Sequence, residues 1–198
     1  MYLKYGKRVI DFILSLLSLI CFSWLFCLLA VLVKVTSRGP VFFRQRRIGK
    51  NGNQFYILKF RTMKIDTQKD VPTHLLEDPE QYITAVGRFL RKTSLDELPQ
   101  LVNILYGQMA IVGPRPALWN QTDLLEEREK YGANYMRPGL TGWAQVNGRD
   151  ELPIVEKARL DGEYVKKAGF FFDLKCILKT VQCVLEHDGV KEGGTRGI

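Results

Sequence analysis

The alternation of apolar and polar positions divides the chain into two unlike parts. From Phe12 to Val33 the sequence reads FILSLLSLICFSWLFCLLAVLV, uncharged, with Ser15, Ser18 and Ser23 as its polar interruptions. A run of that length can cross or deeply enter a bilayer. It is longer than the apolar region of a cleavable signal peptide, and no small-x-small cleavage pattern follows it. Arg38-Gly39-Pro40 then stops the helix, and VFFRQRRIG and NQFYILKFRTM alternate apolar, aromatic and basic residues on either side of Lys50-Asn51-Gly52-Asn53, which predicts a β-hairpin. Lys64 to Pro79 reads as a polar surface loop or lid.

Helical spacing returns at Ile83 to Arg91, with Val86, Phe89 and Leu90 on one face, and again at Leu98, Leu101, Val102 and Leu105. Gly113-Pro114-Arg115-Pro116 dictates a rigid, extended turn. Gln121 to Tyr131 reads as a charged helix, Arg137 to Arg149 (RPGLTGWAQVNGR) as a Gly-rich loop, and Val155 to Ala168 as a helix. Leu174 to Glu186 places Leu174, Ile177, Leu178, Val181, Val184 and Leu185 on a broad apolar face suited either to a core or to a membrane interface. The tail EGGTRGI reads as flexible. The expected class is α+β, mostly helical: a membrane-embedded segment over 1–36, one cytosolic domain over 37–190 and a tail over 191–198.

Charge sharpens the membrane reading. Lys4, Lys7 and Arg8 precede the apolar run, and Lys34, Arg38, Arg44, Arg46 and Arg47 follow it. A single crossing puts only one basic flank on the cytoplasmic side, whereas a helix that breaks and returns puts both there, so the pattern predicts re-entry. The break needs polar partners in hydrocarbon, for which the Ser23 hydroxyl is the candidate. The net charge of +8 over 198 residues favours anionic partners. With no helix-turn-helix, zinc-finger or RNP pattern and scattered basic residues, lipid phosphate and soluble nucleotide fit better than nucleic acid. Cys21, Cys27, Cys176 and Cys183 show no metal or disulfide spacing and read as reduced, packed thiols, and His74 and His187 as surface residues without a role.

The candidate chemistry lies in TSLDELPQLVNI, Thr93 to Ile104. Ser94 to Glu97 fits the capping box S-x-x-E, but a helix capped by Ser94 would carry Pro99 in its second turn. A start at Asp96 puts proline in the first turn, makes Asp96 the cap and leaves its carboxylate only partly occupied. Adjacent acids near Arg88, Arg91, Lys92 and Arg115 suit phosphoryl transfer, with Asp96 as a nucleophile or both acids as Mg2+ ligands. Arg115 can clamp a phosphate or brace its loop on a carboxylate. Trp143 can stack on a base or fill the core, and packing is the commoner fate of a large aromatic.

The segments KRVIDF, GPVFFRQRRIG, FYILKFRTM, SLDELPQLVNIL, IVGPRP and MRPGLTGWAQVNGR, with Leu160-Asp161 followed by Tyr164-Val165, resemble the monotopic phosphoglycosyl transferases in their small, catalytic-domain-only form. The resemblance runs from about Lys7 to about Gly189. It implies that a UDP-sugar is attacked at its sugar-proximal phosphate by Asp96, that UMP leaves, and that undecaprenyl phosphate then takes the phosphosugar. The resemblance places this reaction at the cytoplasmic face of the bacterial inner membrane. It implies Mg2+ at Asp96 and Glu97, and substrate or phosphate contacts at Lys59, Arg91, Arg115 and Asp161. The sequence departs from the family at the helix break, where Ser23-Trp24 stands in place of Ser-Pro. Two rival classes share some of these features: a membrane-anchored Mg-dependent phosphohydrolase, and a non-catalytic lipid-binding scaffold in which Asp96-Glu97 only opens a helix.

Overall fold

The computed structural model describes residues 2–67, 79–148 and 152–186. His74, His187, the tail, Arg149 and most of the Lys64 to Pro79 loop therefore lie outside the described residues. Two helices open the chain, α1 (Lys7–Cys21) and α2 (Ser23–Thr36), bent by 66° at Phe22. At 15 and 14 residues, each is about 21–23 Å long by the helical rise, short of the roughly 30 Å hydrocarbon core. Among the described residues no single helix is long and apolar enough to cross a membrane, while the bent pair together passes in length and composition.

α1 is inverted relative to a helix of a soluble domain. Its buried residues are Lys7, Asp11 and Ser15, one stripe at a spacing of four, while Val9, Phe12, Ile13, Leu16, Leu17 and Ile20 face outward. α2 turns Trp24, Leu28, Val31 and Val35 outward and buries Leu29 and Val33. Apolar surface of this extent on adjoining helices marks contact with lipid. The outer ends of both helices are rooted in the same domain. Lys7 Nζ reaches Asp173 Oδ2 at 2.7 Å and Asp11 Oδ1 accepts from the Ile111 N–H at 3.2 Å. At the far end, Val33 packs on Phe60 and Leu90. Both legs are thus rooted in one domain, an arrangement consistent with the re-entry expected from the paired basic flanks.

The bend is a backbone feature. The Phe22 N–H donates to Ser18 C=O, the Phe26 N–H donates to Phe22 C=O, and no side chain caps either helix at the break. This corrects the role expected of Ser23. The hairpin forms as expected, with β1 (Phe42–Ile48) antiparallel to β2 (Gln54–Phe60) and Asn51 and Gly52 at positive φ in the turn. A 3₁₀ turn at Pro79–Tyr82 leads to α3 (Ala85–Lys92), whose Thr84 cap accepts from the Gly87 N–H. Phe89, expected on the inner face of α3, is exposed, while Leu90 is buried in the core and Val86 packs against it as expected.

α4 (Gln100–Leu105) leads to β3 (Ala110–Val112), then α5 (Thr122–Glu129), β4 (Gly139–Thr141), α6 (Ile154–Lys167) and α7 (Phe170–Glu186). β4 corrects the reading of 137–149 as loop throughout. It pairs in parallel with β3, Ala110 opposite Gly139 and Val112 opposite Thr141. Three residues with glycine at one end carry too little strand pattern to be read, and the glycine is required by contact: a Cβ on Gly139 would lie 2.1 Å from the Gly113 nitrogen.

The core falls into three adjoining clusters. Leu29, Val33, Phe60 and Leu90 hold α2 to the hairpin and α3; Phe55, Ile57, Leu101, Ile104 and Met109 join hairpin to α4; Val112, Trp143, Leu160, Tyr164 and Cys176 lie under α6 and α7. Trp143 is a core residue, its ring 4.9 Å from that of Phe172. Burial pushes the Cys176 thiol up to about 11, which keeps it protonated and inert. On α7 the apolar face is largely uncovered: Phe171, Leu174, Leu178, Val181 and Leu185 are all exposed. Of the two readings open to that face, the interfacial one matches its exposure.

Two outcomes follow. Asp173→Ala leaves buried Lys7 with only Asp11, 3.7 Å away, as a carboxylate partner and should cost about 3 kcal/mol, read as a fall in the thermal unfolding temperature of the protein in nanodiscs. Cysteines placed at Tyr5 and Lys50, in a background lacking Cys21 and Cys27, should both react with an impermeant thiol reagent added from the cytoplasmic side. Labelling of the two from opposite sides would sink the re-entrant topology.

Candidate active site

The turn SLDEL is built by its leucines. Leu95 packs on the α2–α3 cluster, and Leu98 packs on that cluster and on the hairpin–α4 cluster. Asp96 and Glu97 stand between them, Asp96 buried and Glu97 half-buried. Ser94 adopts φ 56°, ψ 15°, and Leu95–Glu97 form a single 3₁₀ turn. α4 starts only after Pro99, which occupies its N-cap position with φ −61°. Both capping expectations are therefore corrected: neither Ser94 nor Asp96 caps a helix, and proline ends the turn before α4 begins.

The neighbours of the dyad are cations. Lys59 Nζ, from β2, lies 2.7 Å from Glu97 Oε1 and 3.9 Å from Asp96 Oδ2. Arg115 Nη2 lies 3.5 Å from the same Glu97 oxygen. Arg91, at the end of α3, donates from Nε to Thr62 Oγ1 at 3.0 Å, and its charge also acts on Asp96. Asp96 is 7% exposed. Burial holds its carboxyl above the ordinary value, Lys59 opposes this, Glu97 adds to it, and Arg91 and Arg115 oppose it further.

Arg115 is fixed through its backbone. The Gly113 N–H donates to Thr141 C=O and the Gly139 N–H to Pro114 C=O, both at 2.9 Å. From the other side the Ile48 N–H donates to Ala117 C=O at 2.9 Å, and Arg47 Nη1 donates to Pro116 C=O at 2.9 Å. The two prolines make the strap stiff, and the hairpin and β4 hold it at both edges.

Four of the residues expected from the sequence, Lys59, Asp96, Glu97 and Arg115, are thus brought into direct contact, with Arg91 beside them. Asp161 is elsewhere, on α6, 1% exposed, with Arg128 Nε and Nη2 at 2.8 and 2.6 Å from its Oδ2. Burial holds the Asp161 carboxyl above its ordinary value, against the pull of Arg128.

Two residues that matter here were not found from the sequence. Arg128 was hidden in a helix full of charges. Asn103, 2% exposed, donates to Tyr56 C=O at 2.8 Å and accepts from the Leu58 N–H at 3.0 Å, so it ties α4 to the free edge of β2 beside Lys59. Its signal was an amide inside the apolar run LVNIL.

Among the described residues no group of three or more His, Cys, Asp or Glu is placed to hold a metal. Two adjacent carboxylates that already attract an ammonium fit Mg2+, which takes one or two carboxylates and fills its remaining positions with water and substrate phosphate.

The chain matches the bacterial sugar transferase family over residues 2–187 and belongs to it; its place is among the monotopic phosphoglycosyl transferases. It is 40% identical over 186 residues to the uncharacterized sugar transferase EpsL of Bacillus subtilis, covering 94% of this chain and 90% of that one. It is 38% identical over 193 residues to the exopolysaccharide production protein ExoY of Rhizobium meliloti, covering 90% and 85%. With the UDP-glucose:undecaprenyl-phosphate glucose-1-phosphate transferase of Escherichia coli it shares 42% identity over 182 residues, 88% of this chain but 39% of that longer protein.

Because Asp96 caps nothing and its ionised form is penalised by burial, the metal-free Asp96→Asn protein should unfold at or above the wild-type temperature at pH 7. A raised native pKa stabilises the protonated fold below the unfolded pKa, and that contribution disappears as pH rises through the native value. The advantage of Asn should therefore narrow as pH falls. A drop of about 1 kcal/mol in the variant at pH 7, the worth of a lost cap, would restore the capping role.

Proposed function

We propose that the protein is an initiating phosphoglycosyl transferase that moves a sugar 1-phosphate from a UDP-sugar to undecaprenyl phosphate with release of UMP. The observation that carries this reading is the Asp96-Glu97 turn: a buried carboxylate that caps no helix, flanked by Lys59, Arg91 and a strap-mounted Arg115.

Asp96 attacks the sugar-proximal phosphorus. A carboxylate O–P bond forms, the P–O bond to the bridging oxygen breaks, and its electron pair leaves on the phosphate of UMP. In the second step a phosphate oxygen of undecaprenyl phosphate attacks the same phosphorus, and the Asp96 carboxylate departs. One shallow site thereby serves a water-soluble donor and a lipid-soluble acceptor in turn. Lys59 and Arg115 offset the diphosphate charge that would otherwise repel the nucleophile, and Arg115 suits bidentate contact with phosphate oxygens. Arg91 adds positive potential at Asp96. Asp96 and Glu97 would hold Mg2+, which when bound supplies further charge neutralisation at the diphosphate. Asp161 acts through Arg128.

The bent helix pair supports placement on the bacterial inner membrane with the domain on the cytoplasmic face, where the donor is soluble. UDP-glucose is the first donor to test, because relatives in Escherichia coli and Xanthomonas campestris bear that substrate in their names.

Intact-protein mass spectrometry after incubation with Mg2+ and a panel of UDP-sugars should show a mass increase of one phosphosugar. The increase should be absent in Asp96→Asn, with turnover lower by about 10³-fold or more. UMP formation without any adduct, dependent on polyprenyl phosphate, would mean direct transfer. UMP formation indifferent to polyprenyl phosphate would instead make the protein a hydrolase.

A further inference from the structure

Gln100 is a buried polar side chain that the mechanism above leaves unused. It is 2% exposed and begins α4, three residues after Glu97 and four after Asp96. Among the described residues no hydrogen bond reaches its side-chain amide, and, unlike the amide oxygen of Gln145, that amide is not sealed from the surface. It does not serve the helix either, because no side chain caps the start of α4. Asn103, one turn further on, shows the usual fate of a buried amide: it bonds Tyr56 C=O and the Leu58 N–H. A buried amide left without a partner is costly, and native structures keep one where a ligand or water completes it. Gln100 lines a depression of about 10 Å³ at the acidic pair, together with Lys59, Glu97, Arg115 and Pro116. That is room for one oxygen-sized group.

We infer that Gln100 donates a hydrogen bond to a non-bridging oxygen of the phosphoryl group being transferred, beside the charged donors Lys59 and Arg115. The assignment rests on the two-step reading above. The walls of the depression favour an oxyanion over a hydroxyl. Three donors from three separate elements meet there, while the acceptor among them, Glu97 Oε1, already has Lys59 at 2.7 Å and Arg115 at 3.5 Å. In phosphoryl transfer the charge of the transition state is spread over the equatorial oxygens of phosphorus. A donor held in place at such an oxygen acts most strongly when the site is closed to water. The same phosphorus is attacked in both steps and stays at Asp96 between them. A contact to its oxygen is therefore made in loading and in discharge alike, whereas the departing nucleotide and the incoming lipid phosphate each take part in one step.

The two half-reactions can be measured apart. Gln100→Met keeps the length of the side chain and removes its amide. With a UDP-sugar that loads the wild type, the saturating rate of adduct formation should fall about 100-fold, the lower end of what one oxyanion donor is worth. The saturating rate of discharge of the isolated adduct onto undecaprenyl phosphate should fall by a similar factor. Half-saturating concentrations in both steps should stay within about threefold of wild type, because the contact is made chiefly in the transition state. The thermal unfolding temperature of Gln100→Met should not fall, since no hydrogen bond within the protein is lost. Gln100→Glu keeps the outline of the side chain and exchanges the N–H donor for a carboxylate oxygen. It should be at least as slow in both steps, whereas a side chain that only fills space would be replaced by it without loss.

Slowing of loading alone would make Gln100 a contact of the departing nucleotide, and slowing of discharge alone a contact of the lipid phosphate. Wild-type rates in Gln100→Met, or in Gln100→Glu where Gln100→Met is destabilised, would leave the amide without a ligand. Each of these results overturns the assignment while a wild-type adduct upholds the two-step reading. A wild-type protein that never forms an adduct overturns that reading itself, and the assignment with it.

Discussion

A polar network buried at the base of the membrane helices holds the molecule in its working arrangement. Lys7 and Asp11 of α1, Asp173 of α7 and Tyr164 of α6 meet where a soluble domain would place hydrocarbon. Tyr164 donates to Asp173 Oδ1 at 2.8 Å, and the Tyr2 hydroxyl to Asp173 Oδ2 at 2.6 Å. Low local dielectric makes such a network costly when one member is missing and rigid when all are present. It allows α1 to turn its apolar residues to lipid and its charges to protein. Arg8 extends the attachment to α4, donating to the Ile104 and Leu105 carbonyls at its end at 2.5 and 2.7 Å.

That attachment fixes the Asp96-Glu97 turn relative to the two apolar helices. α4 is pinned at its far end by a membrane-helix arginine and at its flank by Asn103 on β2, and the Asp96-Glu97 turn is its near end. The exposed faces of α1, α2 and α7 add uncovered apolar surface. Burial raises the Asp96 carboxyl above its ordinary value, and the field of Lys59, Arg91 and Arg115 opposes this. In the proposed reaction the same three cations would let an anionic donor approach an anionic nucleophile, so that one set of charges would serve both the resting site and the substrate.

Residue spacing alone made several elements legible. The hairpin could be read because apolar alternation flanked a Lys-Asn-Gly-Asn turn, and the helices of the second half because their apolar spacing is regular. SLDELPQ was legible as a candidate site from its two acids and the cations around it, yet both capping readings were wrong. They assumed that Ser94 or Asp96 must serve a helix, whereas Ser94 takes a left-handed conformation and Pro99 delays α4. Phe89 and β4 were misread for a related reason: a one-turn or three-residue pattern is too short to tell which side the rest of the chain will cover.

The sequence by itself determined that an uncharged segment long enough to enter a membrane has basic ends, that a hairpin follows it, and that Asp96-Glu97 lies among cations. These properties are local, set by composition and by periods of a few residues. Tertiary structure decided that both helix legs root in one domain, that α7 leaves its apolar stripe uncovered, and that Asp161 faces Arg128 instead of the dyad. Those outcomes depend on contacts between residues far apart in the chain, Lys7 with Asp173 and Arg128 with Asp161 among them. No local pattern encodes such pairings, because each is settled only when packing removes water from both partners at once.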